Sequence, residues 1–302
     1  MPGQILDREE YIEQAYFFRV YRERLQNNVP SQEILQTIQE EILATTRLPM
    51  AIDFLRAEIL HNGRISTAME RLQHYFTPFQ SFVICCAEEE ASRFEQLIAL
   101  EILQSEAQYH ADGASPQGLF VYQFECIARN RLGYHEGLTA MARDPLYDEQ
   151  FARWITQLNI RLGTLDLADI IFRASEHYGR RRRARQLRSG TQEEPKSAET
   201  CLFGDQEGRI AFANIGRDPM YFFAALQRQL GYPQVPRSKR ADDYEKLPPF
   251  LEARLNKIEQ RLKLIDMEIR GGIDLTKFYQ SPGKRPDFSG LDISDAGNAP
   301  DE

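Results

Sequence analysis

The chain has 302 residues, 42% of them hydrophobic and 27% charged, with a formal net charge of −8. That length suffices for one large or two modest domains and buries roughly three quarters of the unfolded surface, so a core needs no covalent staples. The composition excludes wholesale disorder, and the acidic balance excludes a global pull toward nucleic acid or anionic membranes.

Even the longer apolar runs are short: Phe82 to Ala87, for one, is stopped by Glu88, Glu89 and Glu90 far short of the ~20 residues a membrane span needs. Met1 to Asp7 lacks the basic, apolar and small-residue zones of a secretion signal. Cys85, Cys86, Cys126 and Cys201 have no C-x-x-C spacing and read as reduced thiols. These features predict a soluble, cytoplasmic protein.

Helix signals repeat through the first two thirds. Asp7 with Glu10 reads as a capping box opening a helix to about Asn27. Ser31 caps a second, with Ile34, Leu35, Ile38 and Ile42 on one face before Pro49. A third stops at Asn62-Gly63, and a short fourth spans Thr67 to Tyr75. Phe79 to Tyr109 reads as one long helix with Val83, Ala87, Ala91, Phe94, Ile98 and Ile102 aligned.

Ser115-Pro116 opens the next helix, ending near Leu132-Gly133, and Asn130 to Pro145 reads as an ordinary helical hairpin with no repeat array. Asp148 caps a strongly amphipathic helix through Phe151, Trp154, Ile155, Leu158 and Leu162. From Thr164 a helix carries Leu167, Ile170, Ile171 and Ala174 inward, then continues into Arg180 to Arg188 and leaves the body. Residues 189–200 read as a flexible loop. Residues 201–214 read as a small β-hairpin or, alternatively, a helix from Glu207, and Asp218-Pro219 opens the last body helix, closed by Gly231.

Residues 232–246 read as a linker. Beyond it, Leu251, Leu255, Ile258, Leu262, Ile265 and Ile269 follow a 4-3-4-3-4 spacing that predicts a coiled-coil helix over 247–270. With Leu255 and Leu262 at a and Ile258 and Ile265 at d, a parallel assembly favours more than two strands. Burying six such side chains yields about 9–18 kcal/mol, comparable with or below the cost of ordering about twenty residues at ~1–2 kcal/mol each. The helix therefore needs other chains or its own body. Residues 271–302 hold six acidic and three basic residues and read as a disordered tail.

The expected fold is thus all-α: a helical body over 1–188, a small segment at 201–231, then linker, coiled coil and tail. No G-x-G-x-x-G, Walker loop, G-x-S-x-G, H-E-x-x-H or EF-hand loop occurs, so no cofactor is implied. Cys85 and Cys86 have no basic neighbour to activate a thiol. Glu58 and His61 have acid-x-x-His spacing, but the second copy that di-iron bundles use is missing, so no metal is assigned.

The favoured function is a non-catalytic adaptor or scaffold that binds a protein partner or itself. Its contacts are the seam from Leu251 to Ile269 and a tail handle at Phe278 and Tyr279. A rival is nucleic-acid association through Arg180, Arg181, Arg182, Arg183, Arg185 and Arg188, six positive charges in nine residues. A third reading is a helical-bundle enzyme or metal site in which Glu58, His61 and Glu90 converge.

Overall fold

The helical periodicity becomes helix almost throughout. A computed structural model describes residues 5–43, 45–89, 94–162, 166–189 and 201–237, the side chains of 187–189 excepted. The helices are α1 Arg8–Gln26, α2 Ser31–Glu41, α3 Leu48–Asn62, α4 Ser66–Arg71, α5 Pro78–Glu88, α6 Gln96–Ala111 and α7 Pro116–Asn130. They continue as α8 Tyr134–Met141, α9 Glu149–Arg161, α10 Leu167–Arg173, α11 Glu176–Ser189, α12 Asp205–Asn214 and α13 Pro219–Leu230. The fold is all-α, with no strand among the described residues. None of these helices is long and apolar enough to cross a membrane.

Local signals set many of the boundaries. Thr77 and Gln80 close a capping box at α5, and Ser115, Asp148 and Asp218 accept backbone hydrogen bonds at the starts of α7, α9 and α13. Gly63 and Gly231 stop α3 and α13 at φ 68° and 67°, where a β-carbon would be strained.

Other ends depend on distant carboxylates. Asp7 begins α1 without a side-chain cap, and Glu10 instead accepts two hydrogen bonds from the Arg47 N–H, at 3.0 and 3.2 Å, at the start of α3. Glu88 reaches Ile65 N at 2.6 Å and both Ser66 N and Ser66 Oγ, at 3.1 and 2.5 Å, at the start of α4. Each carboxylate satisfies donors that a helix cannot pair internally.

The expected helix over Phe79 to Tyr109 is two helices. Glu89 is extended at ψ 118° and Glu95 at ψ 135°, so α5 and α6 are separate elements. The break frees α6 to lie along α1, the most extensive pairing among the described helices. Phe17, Phe18 and Tyr21 of α1 and Leu100, Ile102 and Leu103 of α6 are buried in the core.

The expected run from Thr164 into the arginines also breaks. Ala174 O accepts from Leu202 N and Phe203 N, while Glu176 N donates to Phe203 O at 3.0 Å. These bonds make an isolated parallel bridge between Ser175 and Phe203. The hairpin expected over 201–214 is therefore replaced by this bridge and by α12, which is the helical alternative starting two residues early. Chain pairing across the α10–α11 break uses the backbone groups that a hairpin would have needed. Gly208 lets α12 approach closely, because a β-carbon there would stand 2.3 Å from Ser175 Oγ.

The described residues all fall in one contact unit, and within it α12 packs against α10, α11 and α13. Phe203 joins Phe120, Phe151 and Trp154 in one aromatic cluster. Residues 232–237 pack back on the body where a linker is expected. The Tyr232 hydroxyl lies 2.7 Å from Glu125 Oε2 and 3.0 Å from Phe223 O, its one hydrogen shared between these two acceptors, and Val235 is buried. Burial of these apolar side chains holds the segment.

Candidate functional site

A helix buried on every side runs through the interior. Residues 118–127 of α7 are all buried, including Gln123 and Glu125. Polar groups in such a position must find partners, and here they gather others around them.

Gln123 Nε2 donates to Glu106 Oε1 at 2.7 Å and to Asp144 Oδ2 at 3.2 Å. Tyr147 donates to Gln123 Oε1 at 2.9 Å. Glu106 and His110 stand one turn apart on α6, so both side chains leave the same face. Asp144 lies in the turn after α8, its N–H bonded to Met141 O and its Oδ1 accepting from Leu146 N at 3.0 Å.

One ligand-type atom from each of Glu106, His110 and Asp144 lies within 4.8 Å of the other two. Glu106 is fully buried and Asp144 nearly so. The His110 ring stacks on Tyr11 at 4.7 Å and 9°.

Burial governs the proton affinities. It raises the Glu106 carboxyl to about 8, helped by the nearby Asp144 charge and opposed by the hydrogen bond from Gln123. Burial likewise raises Asp144 to about 6 and lowers His110 to about 4. In each case the charged form loses hydration. Two carboxyls and a neutral imidazole held this way can share a proton or ligate a cation.

Outside this cluster lies an open groove of about 870 Å³ between α5 and α8. Phe82, Pro78, Ala140, Cys85 and Cys86 provide apolar surface, and Glu70, Glu89, Glu136, Arg143 and His135 also line it. Burial raises both thiols, and nearby glutamates raise Cys85 further. Cys86 is pushed up to about 12 by burial, by Cys85 and then by glutamates. Neither is a thiolate nucleophile near neutral pH. The two regions share elements, since Gln80 and Ser81 are consecutive on α5, as are Arg143 and Asp144 after α8.

The sequence-derived sites fare differently. Glu58 pairs with Arg71 at 2.6 Å and accepts from Asn62 at 2.8 Å, His61 is exposed, and Glu90 lies outside the described residues. The cluster at Glu106 draws on neither Glu58 nor His61. Its signal was present nonetheless: the apolar stripe ending at Ile98 and Ile102 continues in register to Glu106 and His110.

The arginine strip lies on α11. Arg180 pairs with Glu176 and Asp205, each at 3.3 Å, and Arg181 sits over the Phe212 ring at 4.1 Å. Arg183 donates to Gly179 O, Arg182 is half-buried, Arg185 is exposed, and the Arg188 side chain is outside the described residues. Asp205 also bonds His177 at 3.1 Å, the first cause of its lowered pKa, and pairs with Arg209 at 2.8 Å. Leu251, Leu255, Ile258, Leu262, Ile265, Ile269, Phe278 and Tyr279 all lie outside the described residues.

Comparison with protein families, curated proteins and solved structures returns no match for this chain. The fold defines an all-α helical protein, and its chemistry rests on the residues above.

Proposed function

We propose that this chain is a non-catalytic helical adaptor that docks a basic, amphipathic segment of a partner protein in the α5–α8 groove. The observation carrying this reading is the lining itself: apolar surface from Phe82 and Pro78 with three glutamates against one arginine around it. Such a site suits a helix or extended peptide with one apolar face and lysines or arginines beside it. The elevated Cys85 and Cys86 pKa values support binding over covalent chemistry. In this reading the seam from Leu251 to Ile269 joins chains or docks a partner helix.

The test uses fluorescence anisotropy with a labelled Leu/Lys amphipathic peptide and a Leu/Glu peptide of the same length. The full chain is expected to bind the basic peptide, and Glu89→Lys with Glu136→Lys to weaken binding at least tenfold. The same reversals at Glu9 and Glu149, which do not line the groove, control for net charge. Equal weakening by both pairs would sink the groove assignment.

Light scattering then compares the full chain with one ending at Lys246. A larger assembly for the full chain alone supports the seam. Two monomers, together with no groove binding, remove the adaptor reading. Excess 260 nm absorbance that high salt strips from the purified protein would favour the arginine strip and nucleic acid instead.

A further inference from the structure

We propose that Glu106, His110 and Asp144 form a buried binding site for one divalent transition-metal ion. The first ground is convergence. Two residues one turn apart on α6 and a third from the turn after α8 bring one imidazole nitrogen and two carboxylate oxygens within 4.8 Å of each other. Metal–ligand bonds of about 2.0–2.2 Å place ligands of one ion up to about 4.4 Å apart, so small side-chain shifts close the site.

The second ground is independent of that clustering. Glu106 Oε2 and His110 Nε2 are buried and make no hydrogen bond. Glu106 is 0% exposed, so water does not reach the orphaned oxygen from the surface. An interior that satisfies Glu106 Oε1, both Asp144 oxygens and Gln123 leaves these two atoms bare. A proton shared between the carboxyls would pair one oxygen with another and still leave the imidazole nitrogen alone. A divalent ion engages an atom from each residue, and its charge cancels two carboxylates in a region that tolerates no net charge.

The surroundings resemble the outer shell of metal sites. Gln123 orients both carboxylates and is itself held by Tyr147, and the Tyr11 ring fixes the imidazole plane. Such partners set ligand geometry and exclude water. The donor set of one nitrogen and two oxygens, with no thiolate, suits Zn²⁺, Fe²⁺ or Mn²⁺ over Ca²⁺, which takes six to eight oxygens.

The experiment uses the full chain without an affinity tag, stripped with chelator and titrated with Zn²⁺ and Mn²⁺ by calorimetry. One equivalent per chain is expected, with a melting temperature that climbs as free ion increases. Glu106→Gln, which keeps the side chain's size and shape, and His110→Gln are each expected to weaken binding at least tenfold. Glu58→Gln with His61→Gln, away from the cluster, is expected to bind as the parent does.

X-ray absorption of the zinc-loaded parent chain gives a second readout independent of variant folding. Imidazole scattering with oxygen and no sulfur supports the site, whereas sulfur places the ion on the cysteines and overturns it. Failure to bind either ion, or equal binding by parent and both cluster variants, also overturns it. Neither result depends on the groove binding a peptide.

Discussion

Glu106 shows at the residue scale how position outweighs side-chain type. In the metal-free protein its folded value of about 8 stands above the ordinary 4.5, so between these the native state holds a proton that the unfolded chain releases. Its stability contribution is complete below 4.5 and is lost as pH rises through about 8. Asp144 acts in the same direction between 3.8 and about 6. His110 opposes them, because between about 4 and 6.5 the unfolded chain binds the extra proton and stability rises with pH. Above pH 6.5 only Glu106 remains of the three. Thermal melts in chelator are therefore expected to show the parent losing more stability than Glu106→Gln between pH 6.5 and 8.5. Parallel slopes would contradict the buried, protonated Glu106.

Tertiary capping is the distinctive device at the scale of elements. Glu88 ends α5 yet serves α4, accepting hydrogen bonds from Ile65 N, Ser66 N and Ser66 Oγ. A six-residue helix has few internal hydrogen bonds to spare. Glu88→Ala is expected to cost about 1–2 kcal/mol, the upper range for a lost cap, read as a lower urea midpoint with unchanged slope. A change within a few tenths of a kcal/mol would mean that water replaces the carboxylate without loss.

At the scale of the whole molecule, the segment after α13 closes the fold. Tyr232 and Val235 are buried, and Asn130 donates to Pro236 O at 3.1 Å. A chain ending at Leu230 loses both buried side chains, a destabilisation of about 3 kcal/mol or more. At this size that lowers the melting temperature by about 6–12 °C, relative to a chain ending at Lys246. Matching melting curves would show that the segment contributes no stability.

Much of this architecture was legible in local sequence, for a physical reason. Ser115, Asp148 and Asp218 cap the helices that follow them, and Asn62-Gly63 and Gly231 stop helices, because these effects act within one or two turns of backbone. The amphipathic stripe of α9 faces inward because 3.6-residue periodicity is a property of the chain itself. What the sequence by itself determined was therefore an all-α body with many of its helix ends.

Tertiary structure decided the rest. Glu10 caps α3 across 37 residues and Phe203 interrupts the α10–α11 run from a distant stretch of sequence, neither of which has a signature in local spacing. Glu106 and His110 continued the apolar register of their helix, but only packing beside Gln123 and Asp144 makes them a candidate site. Such groups acquire their chemistry from lost hydration and from neighbours distant in sequence, and both arise only when the helices come together.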